Sequence, residues 1–228
     1  RGLSLAEHLR GTKEVIHGSK QLLEVKGLCV QGEDKRILLD HVSFALAYGE
    51  ILGVAGVEGY GQTELLETIV GLRHPTEGKI IFNGQLINKL DTKEVRNLGI
   101  AIIPEDRQRL GLIQTFNVSE NIVLNRYDQT PFAGKFRLHW NKIRAFAQRV
   151  VSAFDIRASS ISANISSLSG GNQQKVIVGR ELSAPLQLLV ASQPTRGVDV
   201  ASVEFIHRKI VEASEKGTAV LLISSDLD

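Results

Sequence analysis

Several residue types are scarce in this sequence, and each scarcity excludes a class of protein. A single cysteine, Cys29, rules out an intramolecular disulfide framework and is typical of a reducing compartment. Lysine and arginine (27) nearly balance aspartate and glutamate (25), so neither a basic tail nor an acidic tail dominates, and we expect no nucleic-acid partner. Aromatic residues make up only 5% of the chain, which indicates aliphatic packing rather than base stacking.

Long apolar runs and methionine are also missing. No apolar run approaches the roughly 20 residues of a membrane-spanning helix, and no signal peptide opens the sequence. The chain contains no methionine and stops at Asp228, directly after a predicted strand. We therefore expect these 228 residues to be part of a longer polypeptide, although they suffice for a substantial core.

Hydrophobic patterning predicts an α/β fold. Leu22–Val30 and Ile37–Leu46 indicate two strands joined by a polar turn. Ile51–Ala55 and Leu188–Ala191 are continuous apolar runs, typical of strands buried on both faces. Further strands are predicted at Lys79–Phe82, Gly99–Ile103 and Ala219–Ser224, and helices at Thr63–Leu72, Asn141–Phe154 and Gln173–Leu182.

The order of these elements suggests three regions. Residues 1–20 are polar and predicted to be an interdomain linker. Residues 21–104 and 169–228 form an α/β core whose sheet is mostly parallel, with antiparallel strands near the N-terminus. Residues 105–168 are mostly polar with helical patterning, and we expect them to form an inserted α-helical subdomain.

A glycine-rich segment follows the Ile51–Ala55 strand and precedes a helix, which is the context of a phosphate-binding loop. The segment runs Gly56-Val57-Glu58-Gly59-Tyr60-Gly61-Gln62-Thr63-Glu64. Gly56 and Gly61 take the two glycine positions of G-x-x-x-x-G-K-[ST], and Thr63 takes the hydroxyl position that ligates Mg²⁺. Gln62 stands at the lysine position, so the point charge on the β- and γ-phosphates is lost. Nucleotide binding is weakened, and hydrolysis on this loop alone is not expected.

Two other interpretations of the loop stay open on the residues alone. It fits an ordinary glycine-rich turn between strand and helix without a ligand. A dinucleotide-binding loop fits less well, because the glycines are spaced G-x-x-G-x-G and no acidic residue stands at the distance expected for a ribose.

A second motif, Leu168-Ser169-Gly170-Gly171-Asn172-Gln173-Gln174-Lys175, opens a helix that Ser169 would cap. The whole string resembles the signature motif of ATP-binding cassette (ABC) ATPases, and the chain from about Leu22 onward has the same motif order. The resemblance implies a P-loop NTPase core of the ABC type with an inserted helical subdomain. It also implies that Ser169, Gly170, Gly171, Asn172 and Gln173 serve a nucleotide held by an opposite cassette.

Several positions depart from the family's pattern. The catalytic positions are degenerate, being occupied by residues without charge: Gln62, Ser192, Gln193 and Ser225. The stretch Gln21–Val42 contains no aromatic residue to stack on adenine. Losing a general base costs roughly 10²–10⁴ in rate. The resemblance therefore implies a nucleotide-binding segment (Gly56, Gly59, Tyr60, Gly61, Gln62, Thr63, Glu64) that is degenerate, and a metal contact through Thr63 at most.

Two further segments correspond to family loops. Glu105, Asp106 and Arg107 occupy the Q-loop, with Glu105 at the glutamine position, and Glu105–Gln114 is the predicted coupling contact. Gly197, Val198 and Asp199 match the D-loop.

The form of the signature and of Pro104–Arg107 is similar to the C-terminal half of tandem ATP-binding proteins that serve importers of simple sugars or nucleosides. The resemblance implies a competent N-terminal half in the same polypeptide, which would hold ATP and Mg²⁺. It also implies transmembrane permease subunits, an indirect solute-binding partner, and a peripheral location at the cytoplasmic face of the membrane.

Two other functions stay open: a catalytically active ABC ATPase, and a nucleotide-independent interaction module. The six histidines show no metal-binding spacing with cysteine or acidic residues, and we expect surface or packing roles for them.

Overall fold

The computed structural model describes residues 20–55 and 61–224, which fall into two compact units. The first unit takes its described residues from Arg1–Ile102, Leu186–Gln193 and His207–Asp228, and the second consists of Ile103–Pro185 and Pro194–Ile206. The second unit therefore contains more than residues 105–168, since the segment after Ser169 belongs to it. The boundaries of the helical subdomain stay a prediction, and the linker at residues 1–20 lies outside the described residues except for Lys20.

An antiparallel sheet in the first unit has the strand order β2-β1-β4-β5. Its strands are β1 (Gln21–Gln31), β2 (Ile37–Ala47), β4 (Glu77–Phe82) and β5 (Gln85–Leu86). The polar turn between β1 and β2 is closed by the Gly32 N–H, which donates to the Arg36 carbonyl at 2.9 Å. Asn83 and Gly84 join β4 to β5 with φ of 47° and 81°, as a tight hairpin turn requires. The predicted antiparallel strands are thus confirmed.

The parallel strands form a second sheet with the order β3-β8-β7-β6. They are β3 (Ile51–Ala55), β6 (Ile100–Ile103), β7 (Leu188–Ser192) and β8 (Ala219–Ser224). All five residues of β7 are buried, as expected for an inner strand. The expectation that β3 is buried on both faces is wrong, since Gly53 and Ala55 are exposed. Its position at the end of the sheet, beside β8, explains the difference.

Aliphatic side chains from both sheets and from helices form the core of the first unit, as the composition predicts. Its helices are α1 (Gln62–Ile69) and α2 (Thr92–Asn97), and the later part of α6 (Val200–Glu215) also lies in this unit. Asp91 caps α2 through a capping box with Glu94.

The second unit is mostly helical. It contains α3 (Val118–Val123), α4 (Trp140–Ala153), α5 (Gly170–Leu182) and the first residues of α6. A π-helical turn covers Arg107–Gly111 and a 3₁₀ turn covers Ile165–Ser167. The predicted apolar stripe of α4 is confirmed in Ile143 and Val150, which are buried together with Ala147.

Two glycines of the β4 region test how tightly the antiparallel sheet is packed. Gly78 (φ 88°) and Gly84 (φ 81°) have similar left-handed backbones. A Cβ on Gly78 would lie 2.6 Å from the Gly27 carbonyl carbon and 2.7 Å from the Leu28 Cα, whereas one on Gly84 meets nothing within 4 Å.

We expect Gly84→Ala to lower the free energy of unfolding by about 1–2 kcal/mol through backbone strain alone. Gly78→Ala should cost at least about 2 kcal/mol more, because two strands would have to separate. Urea denaturation of both variants measures the difference, and equal costs would show that β1 moves away from Gly78 freely.

Candidate functional site

The motif around Ser169 forms the start of α5 in the second unit. Ser169 is the N-cap, and its Oγ accepts from the Asn172 N–H at 3.4 Å and from Asn172 Nδ2 at 2.9 Å. The predicted cap is therefore confirmed. Ser169 is exposed, and Gly170 is partly exposed. The N-terminal end of α5 thus lies at the surface of this unit through Ser169 and Gly170, while Gly171 is buried.

The side chains after Gly171 hold this helix in place. Asn172 Oδ1 accepts from the Arg157 N–H at 2.7 Å. Gln173 is 6% exposed, and its Nε2 donates to the carbonyls of Ile165 (3.3 Å) and Leu168 (3.2 Å). Gln174 is 2% exposed and donates to the Pro194 carbonyl at 2.8 Å. In this unit the polar part of the motif therefore satisfies buried backbone carbonyls.

Lys175 completes the motif and contacts Asp155, which follows the C-cap residue of α4. Its Nζ donates to the carbonyl oxygen and to Oδ2 of Asp155, each at 3.0 Å, and lies 4.6 Å from the centroid of the Phe205 ring. Asp155 has a left-handed backbone with φ of 46°. The hydrogen bond and charge of Lys175 hold the pKa of the Asp155 carboxyl below its usual value.

Gly170 and Gly171 stand where a larger side chain would collide with the loop before α6. A Cβ on Gly171 would lie 2.5 Å from Asp199 Oδ2, and one on Gly170 would lie 2.8 Å from an Arg107 Nη and 3.2 Å from the Gly197 carbonyl oxygen. Gly197 itself has a φ of 66°. The predicted signature and D-loop segments are thus neighbours within the second unit, and both glycines are needed for their close approach.

Asp199 anchors the loop to the first turn of α6. Its Oδ1 accepts from the Ser202 N–H at 3.0 Å and its Oδ2 from the Ser202 hydroxyl at 2.8 Å. These hydrogen bonds lower the pKa of the Asp199 carboxyl, the one from the Ser202 side chain having the largest effect. The spacing Asp-x-x-Ser is a capping signal that the sequence analysis missed.

The predicted Q-loop segment contacts the same loop. Glu105 forms an ion pair with Arg196. Arg107 donates through its two Nη atoms to the carbonyls of Arg196 (2.7 Å) and Gly197 (3.2 Å). Asp106 caps the π-helical turn by accepting from the Gln108 and Arg109 N–H groups, both at 3.0 Å. Sequence reasoning missed the part played by Arg196, because nothing along the chain connects it with Glu105.

The predicted coupling segment Glu105–Gln114 contains two atoms without a partner. Among the described residues, the buried side-chain nitrogens that have no hydrogen bond are Arg107 Nε and Gln114 Nε2. The segment also exposes apolar side chains, with Leu110 65% and Ile113 37% exposed. Exposed apolar side chains close together in one segment are a feature of a surface that a partner covers.

The described part of the glycine-rich loop lies in the first unit. Gly61 is the residue before α1, with φ of 93° and without a side-chain hydrogen bond to cap the helix. A Cβ there would lie 2.7 Å from the Leu38 carbonyl oxygen. Thr63 is exposed and Glu64 lies in the first turn of α1. Gly56, Gly59 and Tyr60 lie outside the described residues.

Two positions at the C-terminal end of the buried strand β7 also belong to the first unit. Ser192 is the last residue of β7, is 5% exposed and pairs with Ile223. Gln193 has a left-handed backbone with φ of 46°, and its N–H donates to the Ile223 carbonyl at 2.8 Å. Neither side chain carries charge. Ser225, predicted at the switch position, lies outside the described residues.

Comparison with known proteins identifies the family. The ABC transporter family model matches residues 39–196. The chain belongs to the ABC transporter family. Over 95% of its length it is 38% identical to the guanosine import ATP-binding protein of Bacillus subtilis, covering 42% of that protein. It is 39% identical to the nucleoside import ATP-binding protein of Lactococcus lactis, covering 91% of this chain and 41% of that protein. The corresponding match to the ribose import ATP-binding protein of Geobacillus kaustophilus is 38% identical, covering 88% and 40%.

The ABC chain therefore spans less than half the length of these relatives. Solved ABC structures confirm the fold. A nucleotide-free ATP-binding cassette matches with a TM-score of 0.77 at 24% identity, covering 92% of this chain and 83% of that one. A dimeric cassette bound to ADP and phosphate matches with a TM-score of 0.76 at 23% identity, covering 90% and 89%. The predicted ABC-type core with parallel and antiparallel strands is thus confirmed.

Within the described residues, no helix is both long enough and apolar enough to span a membrane.

The pairing of Asp155 with Lys175 gives a pH-dependent stability that can be measured. Because the folded pKa is lowered, the carboxylate stabilises the fold above its unfolded pKa of about 3.9, and this contribution is lost as the pH falls through the folded value. Lys175→Met removes the cause, so we expect the pKa of Asp155 to rise in that variant.

Carboxyl chemical shifts followed by NMR between about pH 2 and 6 report this pKa directly. Asp155→Asn should remove the fall in the free energy of unfolding that the protonation of Asp155 causes at low pH. An unchanged Asp155 pKa in Lys175→Met would show that another group causes the shift.

Proposed function

We propose that this chain is the C-terminal nucleotide-binding domain of an ABC importer ATP-binding protein for sugars or nucleosides. In this proposal its own phosphate loop is degenerate, and so are Ser192 and Gln193 at the C-terminal end of β7. Its signature segment completes the ATP site of a competent N-terminal half in the same polypeptide. The observation that carries the proposal is a contrast between two sites. Ser169, which caps α5, is exposed, whereas the positions expected to carry charge for catalysis are occupied by the uncharged Gln62, Ser192 and Gln193.

The chemistry of the donors agrees with this assignment. ATP supplies the phosphoanhydride energy for transport, and Mg²⁺ neutralises its phosphates. In this chain the first turn of α1 offers the Thr63 hydroxyl but also the Glu64 carboxylate, which repels phosphate. The start of α5 offers the Ser169 hydroxyl and amides, with no acidic residue in its first turn. The residues therefore suit phosphate at α5 better than at α1, and we propose that hydrolysis needs the partner half.

The names of the relatives support the importer assignment. Those at 38–39% identity are import ATP-binding proteins for guanosine, nucleosides and ribose. We propose permease subunits as direct partners, a solute-binding protein as an indirect one, and the cytoplasmic face of the membrane as the location. The segment Glu105–Gln114 is the proposed permease contact, because it exposes the apolar side chains Leu110 and Ile113.

We call the proposed arrangement, with one competent and one degenerate ATP site, the asymmetric model. It predicts unequal effects of two substitutions in the full-length protein. Ser169→Arg should abolish ATPase activity, by about 10²-fold or more, because it removes the hydroxyl and fills the space in front of α5. Gln62→Ala should do much less. Ser152→Arg, at an exposed position of α4, controls for the added charge and bulk. Steady-state phosphate release measures all three.

The opposite order of effects would overturn the asymmetric model. If Gln193→Ala abolished the activity, this chain would instead be an active ABC ATPase. If ATP did not change the association of the two halves, the chain would be a nucleotide-independent interaction module.

A second prediction tests the permease contact with two exposed leucines. Leu110, in the proposed contact, is 65% exposed, and Leu72 is 60% exposed in the first unit. We expect Leu110→Glu to weaken binding to the permease at least tenfold, since an unpaired polar group in an apolar contact already costs about 1–3 kcal/mol and a carboxylate costs more. Leu72→Glu is the matched control and should leave binding unchanged. Pull-down of the permease in detergent measures both, and equal binding by both variants would exclude Leu110 from the contact.

A further inference from the structure

Three side chains with metal-binding atoms meet on the antiparallel sheet of the first unit, and none of them is among the residues assigned to nucleotide or permease. They are Cys29 on β1, His41 on β2 and Glu77 on β4. Each offers one ligand atom, and the three atoms all lie within 4.8 Å of one another. Cys29 is 9% exposed, while His41 and Glu77 are exposed, so the cluster faces solvent on one side. We propose that these residues bind a divalent transition-metal ion, zinc by their ligand type.

The strand register brings the three residues together. Cys29 is directly opposite Glu77 in the pairing of β1 with β4. On the other side of β1, the register with β2 shifts between Leu28 and Val30, so His41 stands near Cys29. The His41 N–H lies 3.3 Å from Cys29 Sγ and donates to it. No spacing along the chain indicates this cluster, since its members come from three different strands. The proposal therefore gives His41 a role beyond the surface or packing roles expected for the histidines.

Backbone contacts fix the positions from which these side chains extend. The Thr76 N–H and hydroxyl donate to the Cys29 carbonyl at 2.9 and 3.0 Å, which holds the start of β4 against β1. His41 has a left-handed backbone with φ of 49°. The Cα positions are thus set by the sheet, and only the exposed side chains of His41 and Glu77 need to turn toward an ion.

The three ligand types agree with zinc. Thiolate, imidazole and carboxylate bind zinc at about 2.0–2.3 Å, which places neighbouring ligand atoms of a tetrahedral site about 3.5 Å apart. A separation within 4.8 Å closes to that value by small side-chain rotations. The charges of one thiolate and one carboxylate match a divalent ion, and three protein ligands leave a fourth position for water.

Asp40 gives His41 the support that a metal-binding histidine usually has. Its Oδ1 lies 2.6 Å from His41 Nδ1. A carboxylate on one ring nitrogen orients the ring and makes the other nitrogen a better ligand. Asp40 is therefore a positioning residue in this proposal rather than a ligand.

Cobalt(II) titration of the full-length protein, at about pH 8, tests the proposal because cobalt reports its ligands by absorption. Cys29 is the only cysteine of this sequence, so the difference spectrum between wild type and Cys29→Ser isolates its thiolate-to-cobalt charge-transfer band. We expect this band at one ion per chain, and zinc should remove it by competition. Absence of the band would overturn the proposal.

Variants of the exposed ligands distinguish a three-residue site from binding to the thiol alone. His41→Ala and Glu77→Gln should each weaken cobalt binding at least tenfold, and Asp40→Asn about tenfold. His74→Ala is the matched control, since His74 is another exposed histidine of the first unit and hydrogen-bonds the Asn88 carbonyl. Wild-type affinity in both His41→Ala and Glu77→Gln would also overturn the proposal. Circular dichroism of each variant shows that the fold is retained.

Discussion

The lack of space at the start of α5 is the constraint on which the second unit's functional surface depends. A side chain on Gly171 would run into Asp199, and one on Gly170 into Arg107. The loop before α6 can therefore lie directly against the helix, where Asp199 is itself fixed by Ser202. Because the glycines take up no room, Ser169 remains at the exposed end of the helix, where its hydroxyl oxygen accepts from Asn172.

The close packing at the start of α5 also explains why the motif extends to Lys175, although the proposed contact with ATP involves only its first residues. In the proposed function, Ser169 and the first residues of α5 are the part of this motif that meets the ligand. The following Asn172, Gln173, Gln174 and Lys175 bind to backbone groups of their own unit. Each interaction satisfies a polar group that would otherwise be unpaired. The motif's specificity therefore comes from fixing the helix, and its chemistry from the exposed end.

At the C-terminal end of β7, in contrast, the residue at the predicted metal-binding position is buried rather than exposed. Ser192 is almost completely buried at the end of an all-buried strand. An aspartate at this position would place a carboxylate where little water reaches it, and such a group needs a cation or several donors. A serine needs neither. In the proposed function, where this chain holds no catalytic metal at β7, the uncharged Ser192 fits its buried position, and the exposed signature end is the part of the chain that meets ATP.

Much of the fold could be predicted from the sequence, because it depends on local patterns. The apolar runs predicted β7 and β8, and Ser169 predicted the start of α5. The exposure of β3 could not be predicted, since it depends on which strand stands at the end of the sheet. The ion pair of Glu105 with Arg196 and the meeting of Cys29 with His41 and Glu77 depend on tertiary pairing, for which a single sequence carries no signal.

The contacts of Glu105 and Arg107 give the proposed permease contact a physical connection to the signature segment. Arg107 donates to two consecutive carbonyls of the loop that lies against Gly170, and Glu105 pairs with Arg196 of the same loop. All of these residues belong to one unit, so a displacement of the segment 105–114 must either move this loop or break charged hydrogen bonds. Coupling requires an element with two arrangements rather than mere proximity. In the proposed importer, the Arg107 hydrogen bonds to the Arg196 and Gly197 carbonyls are the contacts of this unit that such a displacement would have to break or carry along.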